Sequence, residues 1–242
     1  MIFDIITLFP GMFFGPLQDG MLSRARRSGA ASVRIHDLRR WGVGPHRQVD
    51  DTPYGGGGGM ILKPEPLFDA VDWIRERYPA ASSRVVLLSP QGARLGHDSA
   101  KRLAGHARLI LLCGRYEGVD ERVREVLADE ELSVGDVVFT GGELPACLVV
   151  NAVSRFVPGV LGRPEAAEWD SFAHGRLDSP YYTRPAEFRG WRVPEVLTSG
   201  DHGAIVRWRE ERALEATRTK RPDLLLRDGS RCADPAQGEV SK

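Results

Sequence analysis

Three short glycine-bearing segments contain the residues whose types and spacing could bind a ligand. They are residues 88–92 (LSPQG), 113–118 (CGRYEG) and 135–145 (GDVVFTGGELP). Glycine lets the backbone approach a ligand closely and adopt positive φ, so such loops recognise their ligand largely through main-chain N–H and C=O groups. A purine or a similar neutral ring suits this kind of recognition. Any one segment alone would be an ordinary tight turn, but three close together in sequence favour a shared site.

Apolar runs in front of two of these segments predict the strands that would position them. Residues 85–88 (VVLL) and 109–112 (LILL) are continuously apolar, as in strands of a parallel sheet that is covered on both faces. Ligands of such sheets bind beyond the carboxyl ends of the strands, where the glycine-bearing segments lie. The alternation of strands and helices predicts an α/β fold, with further strands at residues 2–8, 32–38 and 137–139 and helices at residues 65–77, 99–104, 120–127 and 151–156.

The composition excludes several classes of protein. Of the 242 residues, 42% are hydrophobic, which supports a sizeable core. The N-terminal segment has no basic leader and no run approaches the length of a membrane span, so we expect a cytoplasmic protein with no membrane partner. Cys113, Cys147 and Cys232 are widely spaced, which predicts free thiols. The run at residues 54–60 (YGGGGGM) lacks the Gly-Lys-Ser/Thr of a phosphate-binding loop, which argues against a nucleotide triphosphatase.

The distribution of charge is uneven although the net charge is zero. A net charge of zero argues against a general polyanion binder, and we expect no DNA partner. Residues 24–47 nevertheless contain seven arginines against the single acid Asp37. This segment could bind phosphates or could be a solvated arginine-rich face, and the residues alone leave both open. The six histidines show no metal-ligand spacing, so no metal site is predicted.

The pattern changes after about residue 160. Residues 160–177 lose the periodicity and are rich in Gly, Pro, Ala and charged residues, which predicts an interdomain linker. Residues 203–214 predict a helix in a small second domain. Residues 228–242 are polar with Gly and Pro, which is typical of a disordered tail.

The three glycine-bearing segments, in this order, resemble the signature loops of bacterial tRNA (guanine-N1)-methyltransferases, which are knotted enzymes of the SPOUT class. The resemblance covers nearly the whole chain. It extends through residues 1–4 (MIFD), 7–10 (TLFP), 50–57 (DDTPYGGG), 154–162 (SRFVPGVLG), 169–172 (WDSF), 182–185 (YTRP) and 197–200 (LTSG).

The resemblance implies an architecture as well as a fold class. It implies an α/β fold with a SPOUT-type parallel sheet tied in a deep trefoil knot, plus a small helical C-terminal domain. We expect a knotted cofactor-binding domain at residues 1–160, a flexible linker at 161–177, a helical tRNA-binding domain at 178–227 and a disordered tail at 228–242. Two subunits would form an antiparallel homodimer, and each active site would borrow residues from the other subunit.

The implied reaction is methylation of N1 of the guanosine immediately 3′ of the anticodon, with S-adenosylmethionine as the donor. N1 carries a proton at neutral pH, so a base must remove it while charge develops on O6. The resemblance assigns these roles to Asp170 as general base and Arg155 as the stabilising cation. Considered alone, Asp170 would be a linker residue or helix N-cap and Arg155 a surface ion-pair partner. An exposed carboxylate is a weak base, so we expect residues 160–177 to close over the target nucleotide.

The same resemblance implies the ligand contacts. Those with the cofactor are expected at Leu88, Pro90, Gly114, Tyr116, Glu117, Gly118, Ser133, Val134, Gly135, Val137, Phe139, Gly141, Gly142 and Pro145. Glu117 could face the cofactor's cationic end, help to position the guanine, or merely cap the following helix. The anticodon arm of tRNA is expected at Arg24, Arg27, Tyr54 and Arg184, and Mg²⁺ could assist catalysis.

This chain departs from the family pattern at a few positions, and two rival functions remain. Gly58 stands where the family has proline, which predicts a looser loop. Val137 and Phe139 stand where relatives often carry tyrosine and leucine, which predicts a locally different pocket. The rivals are a related knotted methyltransferase with another RNA target, and an RNA-binding module without catalysis. The pair of Asp170 and Arg155 argues against ribose methylation, which leaves no negative charge on a purine oxygen.

Overall fold

A computed structural model describes residues 1–163 and 167–226. The chain divides between Pro164 and Glu165 into two compact units. The first unit contains a five-stranded sheet in the order β2-β1-β6-β5-β7, in which every pairing is parallel. Its strands are β1 (Ile2–Thr7), β2 (Ser32–Asp37), β5 (Ser83–Arg94), β6 (Arg108–Cys113) and β7 (Glu130–Ser133), and β3 (Asp50–Asp51) and β4 (Ile61–Leu62) form a separate antiparallel pair.

Helices cover both faces of this sheet. The strand residues alternate between two buried clusters, as a sheet covered on both sides requires. Phe3, Ile5 and Leu109 belong to one cluster, whereas Ile6 and Ile110 belong to the other. The helices of the first cluster are α1 (Gly20–Arg27), α3 (His97–Leu103) and α4 (Glu143–Ser154); the second contains α2 (Pro64–Arg77) and a π-helical turn at Val123–Leu127.

The mixed α/β class with a central parallel sheet is confirmed, and most predicted elements of the first unit are present. The exception among the strands is the one expected at residues 137–139, which have no regular secondary structure. The strand that completes the sheet is instead β7. Its Glu130 and Glu131 break the apolar pattern, so the hydrophobic runs did not predict it.

Three other element predictions need correction. The helix expected at residues 120–127 is mainly the π-helical turn. The helix expected at 151–156 is the last part of the longer α4. This helix begins at Glu143, directly after the N-cap Gly142, and ends at Ser154. The strand expected at 85–88 is the first part of the longer β5, which continues to Arg94.

The second unit is described by itself. It contains the hairpin β8 (Glu187–Phe188) and β9 (Trp191–Arg192), a 3₁₀ turn at Glu195–Thr198, α5 (His202–Lys220) and α6 (Asp223–Leu226). The helix predicted at residues 203–214 lies within α5, which begins after the N-cap Asp201, whose carboxylate accepts a hydrogen bond from the Ala204 N–H.

The domain boundary falls inside the predicted linker. Residues 170–177 form hydrogen-bonded turns, and the Leu177 N–H donates to the Thr217 hydroxyl of α5 at 2.9 Å. Movement of this segment on RNA binding therefore stays a prediction, and it would have to break this contact or carry it along. The predicted tail at residues 228–242 and Cys232 lie outside the described residues.

Candidate functional site

A cavity of about 290 Å³ opens at the carboxyl ends of β5, β6 and β7. It lies where the chain crosses from one side of β5 to the other, because β6 pairs with one edge of β5 and β7 with the opposite edge. Such reversals of strand order form crevices in parallel sheets. All three glycine-bearing segments contribute to the wall, and each is held in a different way.

The first wall segment, Ser89 to Gly92, bulges out of β5. Leu132 of β7 pairs with both Leu88 and Ala93, so the four residues between them leave the ladder. The first three of these, Ser89, Pro90 and Gln91, line the cavity. A Cβ on Gly92 would lie 2.3 Å from the Leu132 nitrogen. Glycine is required there because the backbone of β7 occupies the space of any side chain.

The second wall segment follows β6 and rests on the polyglycine run. Tyr116 has φ of 60° and Gly118 has φ of 130°, so the chain turns sharply within the left-handed region. The Glu117 N–H donates to the Met60 carbonyl at 3.0 Å, and the Leu62 N–H donates to the Gly118 carbonyl at 3.0 Å. The residues just after the glycine run therefore hold this segment, and the last glycine of the run, Gly59, lies against the Glu117 side chain.

The third wall segment connects β7 to α4. The Ser133 hydroxyl donates to the Gly135 carbonyl and accepts from the Gly135 N–H, which closes a tight turn. Further along, the Gly142 N–H donates to the Gly114 carbonyl at 2.9 Å, so the second and third segments touch. A Cβ on Gly142 would lie 2.6 Å from the Cys113 Cα, and glycine is what allows this approach.

The cavity gathers the residues that the sequence predicted for the cofactor. Of the predicted set, every residue except Gly135 lines it. Gly135 shapes the wall through its hydrogen bonds to Ser133. The prediction missed nine lining residues, which are Leu87, Ser89, Gln91, Arg115, Val119, Arg124, Leu132, Val138 and Thr140.

Glu143 and Arg115 form an ion pair beside the cavity that sequence reasoning missed. Glu143 is 1% exposed, and its carboxylate accepts hydrogen bonds from the Thr7 hydroxyl at 2.7 Å and from the Arg115 Nε at 3.0 Å. The only local signal was an acid directly after two glycines at the start of a helix, where a carboxylate is favoured by the helix dipole.

The Cys113 thiol lies behind the same wall. Burial raises its pKa well above the ordinary value, and the negative charge of Glu143 raises it further. Burial also raises the pKa of Cys147. Both thiols stay protonated at neutral pH, so neither is a nucleophile, in agreement with their prediction as free cysteines.

Arg124 and Gln91 form the wall nearest the π-helical turn. Arg124 donates to the Gln91 side-chain oxygen at 2.8 Å and pairs with Glu131 at 3.1 Å. Through the first of these contacts, Arg124 orients the amide of Gln91 at the rim of the cavity.

In the same stretch of the chain, a hydrogen bond from Arg122 holds the pKa of Asp120 below its ordinary value.

The two predicted catalytic residues belong to different units. Arg155 directly follows α4 in the first unit and Asp170 lies in the second, and both are half-buried. Exposed aromatic rings flank Asp170, since Trp169 is 67% exposed and Phe172 is 43% exposed. The pairing of Asp170 with Arg155 stays a prediction.

The predicted RNA-contacting residues are all exposed. Arg24 and Arg27 lie on the last turns of α1, Tyr54 precedes the glycine run, and Arg184 lies in the second unit. Part of the arginine-rich segment has structural roles instead. Arg34 stacks on Tyr78 with 4.0 Å between the guanidinium carbon and the ring centroid, and Arg39 donates to the Leu8 carbonyl.

The described part of the chain contains neither a metal-ligating cluster nor a membrane-spanning helix. Within residues 1–163 and 167–226, no group of three or more His, Cys, Asp or Glu side chains is arranged to hold a metal ion. Over the same residues, no helix is both long and apolar enough to cross a membrane.

Comparison with known proteins gives a consistent picture. Residues 1–227 match the family model described as tRNA (Guanine-1)-methyltransferase TrmD. A curated tRNA (guanine-N(1)-)-methyltransferase of Geobacter sulfurreducens is 54% identical over 225 residues, which cover 93% of this chain and 91% of the relative. Enzymes of the same name from Desulforudis audaxviator and Geobacillus kaustophilus are 56% and 50% identical over 93% of this chain, covering 90% and 91% of their own lengths.

Proposed function

Because the chain belongs to the tRNA (guanine-1)-methyltransferase family, we propose that it transfers a methyl group from S-adenosylmethionine to N1 of the guanosine immediately 3′ of the tRNA anticodon. The observation that carries this proposal is the cavity at the ends of β5, β6 and β7. Nearly all of the residues that the resemblance assigns to the cofactor, though spread over about sixty positions, line this one space.

The lining of the cavity fits this cofactor. Backbone amides and carbonyls of the glycine-bearing segments suit the edge of an adenine ring, and the apolar side chains of Leu88, Val137 and Phe139 suit its faces. When bound, the cofactor supplies a methyl group on a positively charged sulfur, which needs no covalent enzyme intermediate. The carboxylate of Glu117 lies at the same cavity and suits the cationic end of such a ligand.

The chemistry on the guanine is proposed for Asp170 and Arg155. Asp170 removes the proton from N1 as the methyl group arrives, and the Arg155 guanidinium stabilises the negative charge that develops on O6. Both residues are half-buried, so part of each side chain remains accessible to a bound guanine. Within the described residues, no group of three or more His, Cys, Asp or Glu side chains is arranged to hold Mg²⁺.

The finer architecture is also proposed from the family. The loops at residues 113–118 and 135–145 would belong to a deep trefoil knot, and the contact between Gly142 and Gly114 supports their close crossing. The second unit, whose described residues from His202 to Leu226 are mainly helix, would contain the tRNA-binding domain at residues 178–227. A tRNA substrate also supports a location in the cytoplasm.

A homodimer with shared active sites is supported by an exposed apolar surface. Leu144 and Leu148 of α4 are 47% and 49% exposed, and Phe9, Met12 and Phe14 around the neighbouring 3₁₀ turn (Pro10–Phe13) are exposed as well. Exposed apolar patches of this kind mark protein interfaces. We propose that α4 packs against a second copy of the chain.

Contacts with the anticodon arm are proposed on two surfaces. In the second unit Tyr181, Tyr182 and Trp191 are at least half exposed, so these rings are available to stack on bases and are not simply the core of a small domain. The nearby Arg184 could contact phosphates. In the first unit, Arg24 and Arg27 on α1 and Tyr54 beside the glycine run offer the same chemistry.

The test is transfer of labelled methyl from S-adenosylmethionine to tRNA transcripts that carry GG or AG across the last anticodon base and its 3′ neighbour. We expect methylation of the GG transcript by the wild type, and a loss of about 10²- to 10⁴-fold in Asp170→Asn. Glu168→Gln, two residues away and exposed, is the matched control and should keep full activity.

Each alternative result has a definite meaning. Equal rates for wild type and Asp170→Asn would remove Asp170 as the proton acceptor. No methylation of either transcript by the wild type would indicate another RNA target or a protein without catalysis.

A further inference from the structure

We propose that Arg115, Glu143 and Thr7 form a buried clasp that sets the spacing of the two cavity walls and thereby the affinity for S-adenosylmethionine. The three side chains come from the end of β1, the loop after β6 and the first residue of α4. The inference rests on the proposed function only in taking S-adenosylmethionine as the ligand. It assigns a positioning role, because the clasp acts through the loops.

Glu143 is the centre of the clasp. Its carboxylate is 1% exposed and all three of its closest partners are donors: the Thr7 hydroxyl at 2.7 Å, Arg115 Nε at 3.0 Å and Arg115 Nη2 at 2.9 Å. A buried carboxylate is tolerated only when it is paired and hydrogen-bonded in this way. Glu143 is therefore fixed in direction as well as in place.

Arg115 extends the clasp to the third wall segment. Its Nη1 donates to the Thr140 carbonyl at 3.0 Å, and its guanidinium lies 4.3 Å from the centre of the Phe9 ring. Arg115 also lines the cavity itself. Arg115 thus lies in the second wall segment, and its guanidinium holds the third segment through Thr140.

The glycines of the third segment show how tightly this guanidinium fits. A Cβ on Gly141 would lie 2.2 Å from Arg115 Nε and 2.6 Å from Glu143 Oε2. No space remains between the pair and the backbone of the third segment. A shift of Arg115 would therefore move the wall of the cavity.

The second and third wall segments are loops, so side-chain contacts between them affect their conformation. Tyr116, Gly118 and Gly135 adopt positive φ, and a loop of this kind has many alternative conformations when it is not held. The backbones of the second and third wall segments are joined directly by the hydrogen bond from the Gly142 N–H to the Gly114 carbonyl. The clasp adds charged hydrogen bonds, which are stronger than neutral ones.

The experiment compares S-adenosylmethionine binding and thermal unfolding in the full-length protein. Arg115→Lys and Glu143→Gln should each raise the dissociation constant, measured by calorimetry, by about tenfold or more. Each substitution removes charge-assisted hydrogen bonds. Because the two residues act as one unit, the double variant should bind no worse than the weaker single variant. Thr7→Val, which keeps the shape of the side chain, should give a smaller loss in the same direction.

The matched control is another buried ion pair of the same sheet. Asp4 and Arg108 are 0% and 1% exposed and lie 3.0 Å apart, but neither lines the cavity. Asp4→Asn should lower the melting temperature and leave the dissociation constant unchanged. The clasp variants should instead change binding beyond any change in melting temperature.

The outcomes separate this inference from the proposed function. If the clasp variants melt at lower temperature but bind S-adenosylmethionine as tightly as the wild type, as the control does, the clasp is only structural and the inference is wrong. If a clasp variant does not fold, Thr7→Val decides on the same two measurements. If the wild type itself does not bind S-adenosylmethionine, the proposed function fails and not the clasp alone.

Discussion

Gly59, which lies against the cavity-lining residue Glu117, shows how one position can depend on the absence of a side chain. It has φ of +89°, and a Cβ there would lie 2.7 Å from Glu117 Cγ and Oε1. Its neighbour Gly58 has open space around it and does not need positive φ. Glycine is thus required at residue 59 and only permitted at residue 58.

Gly59→Ala should therefore reduce methylation, whereas Gly58→Ala should not. The first change costs about 1–3 kcal/mol in backbone strain and pushes Glu117 from its place at the cavity. The second restricts only the unfolded chain and should be neutral or stabilise the protein by about 0.4–1 kcal/mol. Measuring kcat/KM and the melting temperature for both variants checks this, and equal behaviour of the two would contradict it.

At the scale of elements, Glu130 joins three parts of the first unit. This residue begins β7, and its carboxylate accepts hydrogen bonds from Arg84 of β5 at 3.4 Å and from Arg102 of α3 at 2.6 Å. Burial alone would raise the pKa of Glu130, but the hydrogen bonds and charges of Arg102 and Arg84 outweigh it and hold the pKa below its ordinary value. A lowered pKa means that the folded state favours the ionised form.

Glu130→Gln should consequently change the acid limb of the stability curve. The ionised carboxylate stabilises the fold above its ordinary pKa of about 4.3, and this contribution is lost as pH falls through the lower folded-state value. The variant should melt lower than the wild type at pH 7, by an amount corresponding to about 1 kcal/mol, and the difference should shrink as the pH falls through the lowered pKa of Glu130.

The control for this pH dependence is an exposed acid of the neighbouring helical turn. Glu125→Gln should leave the difference from the wild type small at every pH. Melting temperatures measured from pH 3 to pH 7 decide the matter. A constant offset of Glu130→Gln over that range would show that the pair with Arg102 does not act through ionisation.

For the molecule as a whole, α4 matters because it exposes two apolar side chains, Leu144 and Leu148, on the proposed dimer interface. Burying such a surface against a second copy contributes about 25 cal/mol for each Å² of apolar area removed from water. The cavity lies in the same unit as this face. Dimerisation and activity are therefore expected to be lost together.

Leu148→Glu should give a monomer that has lost most of its methyltransferase activity. The substitution places a charge on each side of the proposed two-fold interface, where burial of an unpaired charge is costly. Val126→Glu is the control, because Val126 is 70% exposed in the π-helical turn on the opposite layer of the sheet. Sedimentation and tRNA methylation measure both effects, and a dimeric Leu148→Glu variant would exclude this face.

Much of the fold and most of the cavity could be predicted because their signals are local. Continuous apolar runs such as 109–112 mark strands that are covered on both faces, and glycine-bearing segments directly after them mark the ligand edge. The same local patterns did not predict β7, because its Glu130 and Glu131 are charged residues that form ion pairs. They also placed a strand at residues 137–139, where the apolar residues face the cavity instead.

Short contiguous motifs were enough to predict the family, the parallel sheet and more than half of the residues around the cavity. Only the tertiary structure decided which distant residues hold those motifs in place. Thr7 and Glu143 are 136 positions apart and share one buried hydrogen bond, and Arg115 joins them from a third element. No local pattern encodes such a contact, because it exists only after the sheet has brought the ends of β1, β6 and α4 together.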